Sequence, residues 1–220
     1  KYKKKLWKYL MNVLIKRILS SIILFLLSVF FIIKGSFYFI FFLSILFLFS
    51  YLEWSNLNKK KYFLKFLGIV FLLFSFYLTY LIREQYGLYF FLFILTICIS
   101  TDVGGYIFGK MLKGPKLTKI SPNKTYTGVI GSFLLSLLSG LFFIKYTQIN
   151  YIDEISIKIF FAMILISLIS QIGDLIISYF KRKAGLKDTG KILPGHGGLL
   201  DRIDGLIFVM PIIYISTFLI

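Results

Sequence analysis

Seven long apolar runs constrain this chain more than any other feature of its sequence. Because any surface that folds in water must be partly polar, a soluble domain of 220 residues cannot hide a hydrophobic content of 58%. No alternating barrel pattern is present, so the runs predict helices. We therefore expect an all-α integral membrane protein, a polytopic bundle of about seven apolar helices. The runs cover residues 18–33, 37–52, 62–82, 87–101, 126–145, 157–180 and 203–220.

The first two runs are the least certain spans. Both are shorter than the roughly 20 residues that a perpendicular helix needs to cross a bilayer. Only Lys34, Gly35 and Ser36 separate them. A short re-entrant hairpin is therefore the alternative to two full spans.

Basic residues alternate between the two ends of the apolar runs. The formal net charge is +17, from 26 Lys and Arg against 9 Asp and Glu. Of the basic residues, 22 lie in residues 1–17, 53–65, 102–125 and 179–202, and only four lie in the opposite set of connections. Since cytoplasmic loops of membrane proteins are enriched in Lys and Arg, we expect these four segments in the cytoplasm. The membrane explains the charge without a nucleic-acid partner.

Asp174 is the first residue that suggests chemistry, because a charge inside an apolar run is costly. Ser167, Gln171 and Ser178 share its helix face at spacings of three and four, and the face continues to Lys181 and Arg182. This polar stripe is typical of a site wall. The alternative is a seam between helices in which Asp174 pairs with a lysine.

Asp201 and Asp204 form a second acidic group where the last apolar run begins. Their simplest role is to cap that helix. Capping needs only one of them, however, and Arg202 between them adds a phosphate-binding group. Together with Asp174 they suit Mg²⁺, which bridges carboxylates to substrate phosphates. A second cation is compatible with this site. One cysteine, Cys98, and one histidine, His196, exclude a disulfide framework and a histidine-cluster metal site.

Two segments of the predicted cytoplasmic face are rich in glycine and in phosphate-binding side chains. The loop that joins the aspartates contains Gly195, His196, Gly197 and Gly198, whose backbone can approach an anion closely. The second segment begins at Asp102 and the glycines that follow it, at the end of one apolar run. It ends with hydrogen-bond donors that precede the next run and could bind a phosphate. These donors are Ser121, Asn123, Lys124 and Thr125.

The run from Ser178 to Asp204 resembles the signature of phosphatidate cytidylyltransferases, also called CDP-diacylglycerol synthases. That signature reads Ser-x-apolar-Lys-Arg, four residues, Lys-Asp-x-small, two residues, apolar-[Pro/Gly]-x-His-Gly-Gly, apolar-x-Asp-Arg-apolar-Asp. Every fixed position is met here. The segments beginning at Thr101 and Ser121 are similar to weaker blocks of the same family.

The resemblance implies the reaction CTP + phosphatidic acid → CDP-diacylglycerol + pyrophosphate, with Mg²⁺. It implies Asp174, Asp201 and Asp204 as the cation ligands, the first two being the principal ones. Catalytic phosphate contacts would come from Lys181, Arg182 and Arg202. We expect the substrates to be bound by Asp102, Ser121, Asn123, Lys124, Thr125, Lys187, Asp188, His196, Gly197 and Gly198.

We expect the chain to divide into an N-terminal basic segment with apolar helices that cradle the lipid (residues 1–99) and a catalytic membrane region (100–220) with cytoplasmic loops 102–125 and 179–202. The location implied is a bacterial-type cytoplasmic membrane, with the active site facing the cytoplasm. A homodimer is compatible with the sequence.

Two other functions remain as alternatives. A CTP-dependent kinase of a lipid alcohol would transfer the γ-phosphate and leave no cytidine on the lipid. An ion-coupled membrane transporter, a different class, would use Asp174 as an ion site, although transporters usually show internal repeats that are absent here.

Overall fold

The computed structural model describes residues 22–59, 61–147, 157–192 and 197–217. Within these ranges the chain is mostly helical, with an isolated bridge between Lys116 and Thr125 and no β-strand. The helices are α1 (Ile22–Lys34), α2 (Ser36–Leu57), α3 (Tyr62–Gln85), α4 (Gly87–Leu112), α5 (Tyr126–Tyr146), α6 (Ile157–Lys183), α7 (Leu200–Ile203) and α8 (Leu206–Thr217). The predicted all-α polytopic architecture is confirmed.

In the part of the chain that the structure describes, five helices, α2 to α6, are long and apolar enough to cross a membrane, and the described lengths of α1 and α8 are shorter. Several predicted boundaries were wrong. The second run extends to Leu57, which gives α2 22 residues and enough length to span by itself. The re-entrant reading therefore does not apply to α2.

The two predicted cytoplasmic loops are shorter than expected. Helix α4 continues to Leu112, so the first half of the predicted loop 102–125 is helical. Helix α6 likewise continues to Lys183, and the four-residue α7 occupies the end of the predicted loop 179–202. Polar residues do not end a helix when neighbouring side chains form hydrogen bonds or ion pairs with them. A loop boundary predicted from charged residues alone is therefore placed too early in the chain.

At the end of the bundle opposite the basic loops, α3 holds the break between α1 and α2. The Arg83 side chain donates from Nε to the Ile32 carbonyl at 2.9 Å, and the Glu84 carboxylate accepts from the Ser36 N–H at 2.8 Å. Gly35 has a φ of 63°, and a Cβ there would lie 2.8 Å from Arg83 Nη2. Charged side chains thus satisfy backbone groups that the helix break leaves free.

At the basic end, the last turn of α2 is anchored to α3. The Trp54 indole donates to the carbonyls of Leu64 and Lys65 at 3.3 and 3.2 Å and packs on Gly68, where a Cβ would overlap it. Its ring also meets Phe180 of α6 edge-on, with centroids 4.9 Å apart. This contact brings α2, α3 and α6 together beside the signature segment.

The core of the bundle is aliphatic and the outside is apolar as well. Ile82, Ile94, Ile97, Met163 and Val209 are fully buried between α3, α4, α6 and α8. The outer faces of the same helices carry many exposed large hydrophobic residues. An apolar exterior of this extent suits hydrocarbon rather than water.

Helices α4 and α5 make the most extensive helix–helix contact, and small residues allow it. A Cβ on Gly104 would lie 2.5 Å from the Gly131 carbonyl oxygen, and Ser132 donates to the Thr101 carbonyl at 2.7 Å. Close backbone approach through small residues is the usual way in which helices associate in membranes. Gly104 therefore allows α4 to pack closely against α5.

Candidate active site

The polar stripe predicted on α6 is confirmed. The Ser178 hydroxyl donates to Asp174 Oδ1 at 3.1 Å, and one turn earlier the Gln171 amide donates to the Ser167 carbonyl at 3.4 Å. These i, i+4 contacts place the residues on one face, which leads to Lys181 at the basic end. Asp174 is half-buried on this face.

Lys124 approaches the stripe from the segment before α5. Its ammonium lies 2.8 Å from Asp174 Oδ2 and also donates to the Gln171 carbonyl at 3.2 Å. The pair is the contact that the seam between helices, the alternative to a site wall, predicts for Asp174. Both side chains keep 24 and 30% of their surface exposed, so the pair remains open to a charged ligand.

The segment before α5 has its own local order. The Thr125 hydroxyl accepts from the Gly128 N–H at 3.1 Å and thereby caps α5. The Ser121 N–H donates to the Thr118 hydroxyl at 3.1 Å, and the Asn123 side chain is exposed. Lys124 is therefore the member of this predicted group that the fold brings against α6.

A second pair, Lys181 with Asp201, lies deeper. The ammonium is 2.7 Å from Asp201 Oδ1, and the two side chains are only 10 and 9% exposed. The other oxygen, Oδ2, accepts from the Thr189 N–H, the Thr189 hydroxyl and the Gly198 N–H at 2.8, 3.0 and 3.1 Å. Asp201 thus ties the end of α6 to both sides of the glycine-rich segment.

Asp204, between α7 and α8, is buried, and its Oδ1 accepts from the Gly205 N–H at 2.9 Å. Burial raises the pKa of the Asp204 carboxyl well above its ordinary value, and the charges of Asp174 and Asp102 raise it further, while Lys181 lowers it. The three carboxyls of Asp102, Asp174 and Asp204 therefore act on one another electrostatically. Asp102 itself is exposed on α4.

The predicted three-aspartate cation site is not preassembled. Among the described residues, no three acidic, histidine or cysteine side chains are grouped closely enough to hold a metal ion. Lys124 neutralises Asp174, and both oxygens of Asp201 already have donors. The assignment of Asp174, Asp201 and Asp204 as ligands stays a prediction.

The remaining predicted residues lie on the loop side of these pairs. Arg182 donates to the carbonyls of Ile120 and Leu186 at 3.3 and 3.1 Å, which links the end of α6 to the segment before α5. Arg202, Lys187 and Asp188 are exposed. Gly197 has a φ of 86°, the left-handed region that favours glycine. The last of them, His196, lies outside the described residues.

Sequence reasoning missed Glu53, because this residue lies in the basic segment 53–65. Near the end of α2, its carboxylate is 2% exposed and accepts from the Thr189 hydroxyl and from the N–H groups of Leu199 and Leu200. One clue was present in the sequence, since Glu53 is the only acidic residue before Glu84.

Comparison with known proteins agrees with this picture. The family model described as "Cytidylyltransferase family" matches residues 60–220, a range that leaves out Glu53. A protein of Staphylococcus aureus (strain COL) named "Phosphatidate cytidylyltransferase" is 44% identical over 130 residues, which are 59% of this chain and 49% of the relative.

Relatives from other bacteria carry the same name. The protein of Staphylococcus haemolyticus is 41% identical over 130 residues (59% of this chain, 49% of the relative), and that of Bacillus subtilis is 42% identical over 134 residues (60% and 48%). The chain spans about half the length of these curated relatives. Because the family match extends over most of its residues, the chain belongs to the cytidylyltransferase family.

Proposed function

We propose that this chain transfers the cytidylyl group of CTP to phosphatidic acid, giving CDP-diacylglycerol and pyrophosphate. One observation carries the proposal: two Lys–Asp pairs, Lys124–Asp174 and Lys181–Asp201, form at the basic end of an apolar bundle, and the second pair belongs to the signature. The names of the bacterial relatives support the same substrates.

The chemistry needs charge neutralisation more than proton transfer. A phosphate oxygen of the lipid attacks the α-phosphorus of CTP, a new P–O bond forms, and the bond from the α-phosphorus to the bridging oxygen breaks as pyrophosphate leaves. Because phosphatidic acid is already ionised, no general base is required. Both reactants are anions, so positioned cationic groups lower the barrier by offsetting their repulsion and the charge on pyrophosphate.

The basic side chains of the site are suited to that task. Lys124 and Lys181 are held by carboxylates, which orient their ammonium groups towards phosphate oxygens that bind beside them. Arg182 and Arg202 are exposed at the same end and supply guanidinium groups for the phosphates of CTP.

A divalent cation, Mg²⁺, suits the carboxylate donors of this site, which would share it with substrate phosphates because no three of them are grouped closely in the described residues. Asp174 and Asp201 would be its principal ligands, with Asp204 as a further ligand. When bound, Mg²⁺ supplies positive charge to the phosphates that react. A second cation would belong to the same acidic group.

An apolar cavity next to the charged pairs supports a lipid substrate. It has a volume of about 250 Å³ and is lined by residues that include Trp54, Gly68, Phe180 and Leu200. Phe180 and Leu200 directly precede Lys181 and Asp201 in the chain. An acyl chain in this cavity would therefore have its phosphate end close to the polar site.

The orientation follows from charge. The pairs lie at the end of the bundle that carries the connections rich in Lys and Arg, which favours the cytoplasm. CTP would then enter from the cytoplasm and the lipid from the side, within one leaflet.

A transfer assay tests the function. The purified chain in detergent receives Mg²⁺, phosphatidic acid and CTP labelled in the cytosine ring, with Asp174→Asn as the control of reduced activity. We expect label in the organic extract, stoichiometric release of pyrophosphate, and loss of both with EDTA. Label that stays in the aqueous phase without pyrophosphate would overturn the proposal, and γ-phosphate appearing on a lipid alcohol would point to a kinase instead.

A further inference from the structure

The buried carboxylate of Glu53 is the most unusual group outside the signature. It belongs to α2, in the half of the chain that otherwise contributes apolar residues, and it is 2% exposed. A buried carboxylate is costly unless hydrogen bonds satisfy it. The donors to the Glu53 carboxylate therefore indicate which part of the fold it stabilises.

All three donors to Glu53 belong to the signature segment. Oε1 accepts from the Leu199 N–H at 2.9 Å, and Oε2 accepts from the Leu200 N–H and the Thr189 hydroxyl, both at 2.8 Å. Leu199 opens α7 without a side-chain cap of its own. Glu53 thus supplies, from more than 130 residues away, acceptors for the N–H groups of Leu199 and Leu200 at the start of α7.

Thr189 connects Glu53 to Asp201. Its hydroxyl lies 2.8 Å from Glu53 Oε2 and 3.0 Å from Asp201 Oδ2, while its N–H donates to Asp201 at 2.8 Å. Since a hydroxyl has one hydrogen, it donates to one of the two carboxylates at a time and links them. The chain of contacts continues through Asp201 to Lys181 at 2.7 Å.

Two glycines leave the space that this arrangement needs. A Cβ at Gly198 would lie 2.6 Å from Glu53 Oε2 and would overlap the Thr189 hydroxyl. A Cβ at Gly190 would overlap Glu53 Oε1. The side chains of Glu53 and Thr189 therefore exclude any residue larger than glycine at these two signature positions.

We propose that Glu53 is a positioning residue for the cytidylyl transfer: through Thr189 and the turn at residues 198–200 it holds Asp201 and Lys181 in their reactive arrangement. The inference rests on the proposed function. It assigns a role in the site to the N-terminal half of the chain, outside the range of the family match.

The experiment compares the full chain with Glu53→Gln, which keeps the shape but removes the charge and puts an NH₂ group against a backbone N–H. The matched control is Glu84→Gln, because Glu84 also accepts from a backbone N–H, at 2.8 Å, at the opposite end of the bundle. Each variant is assayed for transfer kinetics. Limited trypsin cleavage at Lys187 and Lys191, two exposed lysines of the segment, provides a readout independent of activity.

We expect Glu53→Gln to lower kcat about 10-fold to 100-fold, with KM for CTP within about twofold, because the groups are misplaced rather than lost. We also expect cleavage at the two lysines to accelerate at least about fivefold. Glu84→Gln should match the wild-type chain in both measurements. Unchanged kcat and unchanged cleavage in Glu53→Gln would overturn the proposal, as would equal effects of Glu84→Gln.

A second pair of variants covers the case in which Glu53→Gln does not fold. Thr189→Val removes the linking hydroxyl, and Thr189→Ser retains it. We expect Thr189→Val to lower kcat and to accelerate cleavage as Glu53→Gln does. Thr189→Ser should keep both kcat and the cleavage rate close to those of the wild-type chain. Equal behaviour of the two would refute the link. If the wild-type chain transfers no cytidylyl group, the proposed function fails, while the cleavage rates still decide whether Glu53 holds the segment.

Discussion

The Lys124 ammonium lies 2.8 Å from the Asp174 carboxylate and joins the segment before α5 to the middle of α6. The second pair, Lys181 with Asp201, has nearly the same separation, 2.7 Å, but much less exposure. The two pairs therefore differ in what they contribute to stability, although both lie at the basic end of the bundle.

The first prediction concerns Lys124–Asp174, the more exposed of the two pairs. Ion pairs that solvent reaches contribute only about 0–1 kcal/mol to stability. Asp174→Asn should therefore shift the melting temperature very little, yet lower kcat about 100-fold, equivalent to about 2.7 kcal/mol of transition-state stabilisation. Thermal melting in detergent and the transfer assay measure the two effects. Near-normal turnover at matched protein levels would remove Asp174 from the site.

The second prediction concerns the buried pair. Removing one partner leaves the other charge without compensation, so Asp201→Asn should destabilise the fold by about 3 kcal/mol or more. The double variant Lys181→Met/Asp201→Asn removes both charges and should melt higher than Asp201→Asn alone, while remaining inactive. A double variant that melts no higher would show that the Thr189 and Gly198 contacts, rather than the charge pair, dominate.

The third prediction uses the raised pKa of Asp204. The folded chain holds the Asp204 proton at pH values where the unfolded chain has released it, so stability falls as pH rises from the ordinary carboxyl range towards the raised pKa. In EDTA, Asp204→Asn should therefore raise the melting temperature, and the gain should grow as the pH rises above the ordinary carboxyl range towards the raised pKa. The exposed Asp188→Asn is the control, and an equal gain in both variants would contradict the assignment.

The fourth prediction concerns the α4–α5 contact. A side chain at Gly104 would meet the Gly131 carbonyl oxygen at 2.5 Å, and this neighbour is backbone that cannot move aside cheaply. Gly104→Val should cost about 1–3 kcal/mol of stability through overpacking. Val103→Ile, on the exposed side of the same helix, should have little effect on the melting temperature. Equal melting of the two variants would mean that the helices separate easily.

Some of the site was predictable because it is local in sequence. The stripe from Ser167 to Lys181 follows helix periodicity, and the confirmed contact of Ser178 with Asp174 spans one turn. The helical bundle followed from the apolar runs in the same way. The ends of α4 and α6 differ from the prediction, because polar residues such as Asp102 and Lys181 continue these helices instead of starting loops.

The sequence by itself determined the membrane class, the helices and the family signature, since each depends on short-range pattern or composition. Only the tertiary structure decided which charges meet. Lys124 reaches Asp174 across 50 positions, and Glu53 reaches Leu199 across 146. Such partners depend on how the helices pack, because a buried carboxylate needs hydrogen-bond donors and only the packed fold brings them near. The spacing of two residues in the sequence does not give the distance between their side chains in the fold.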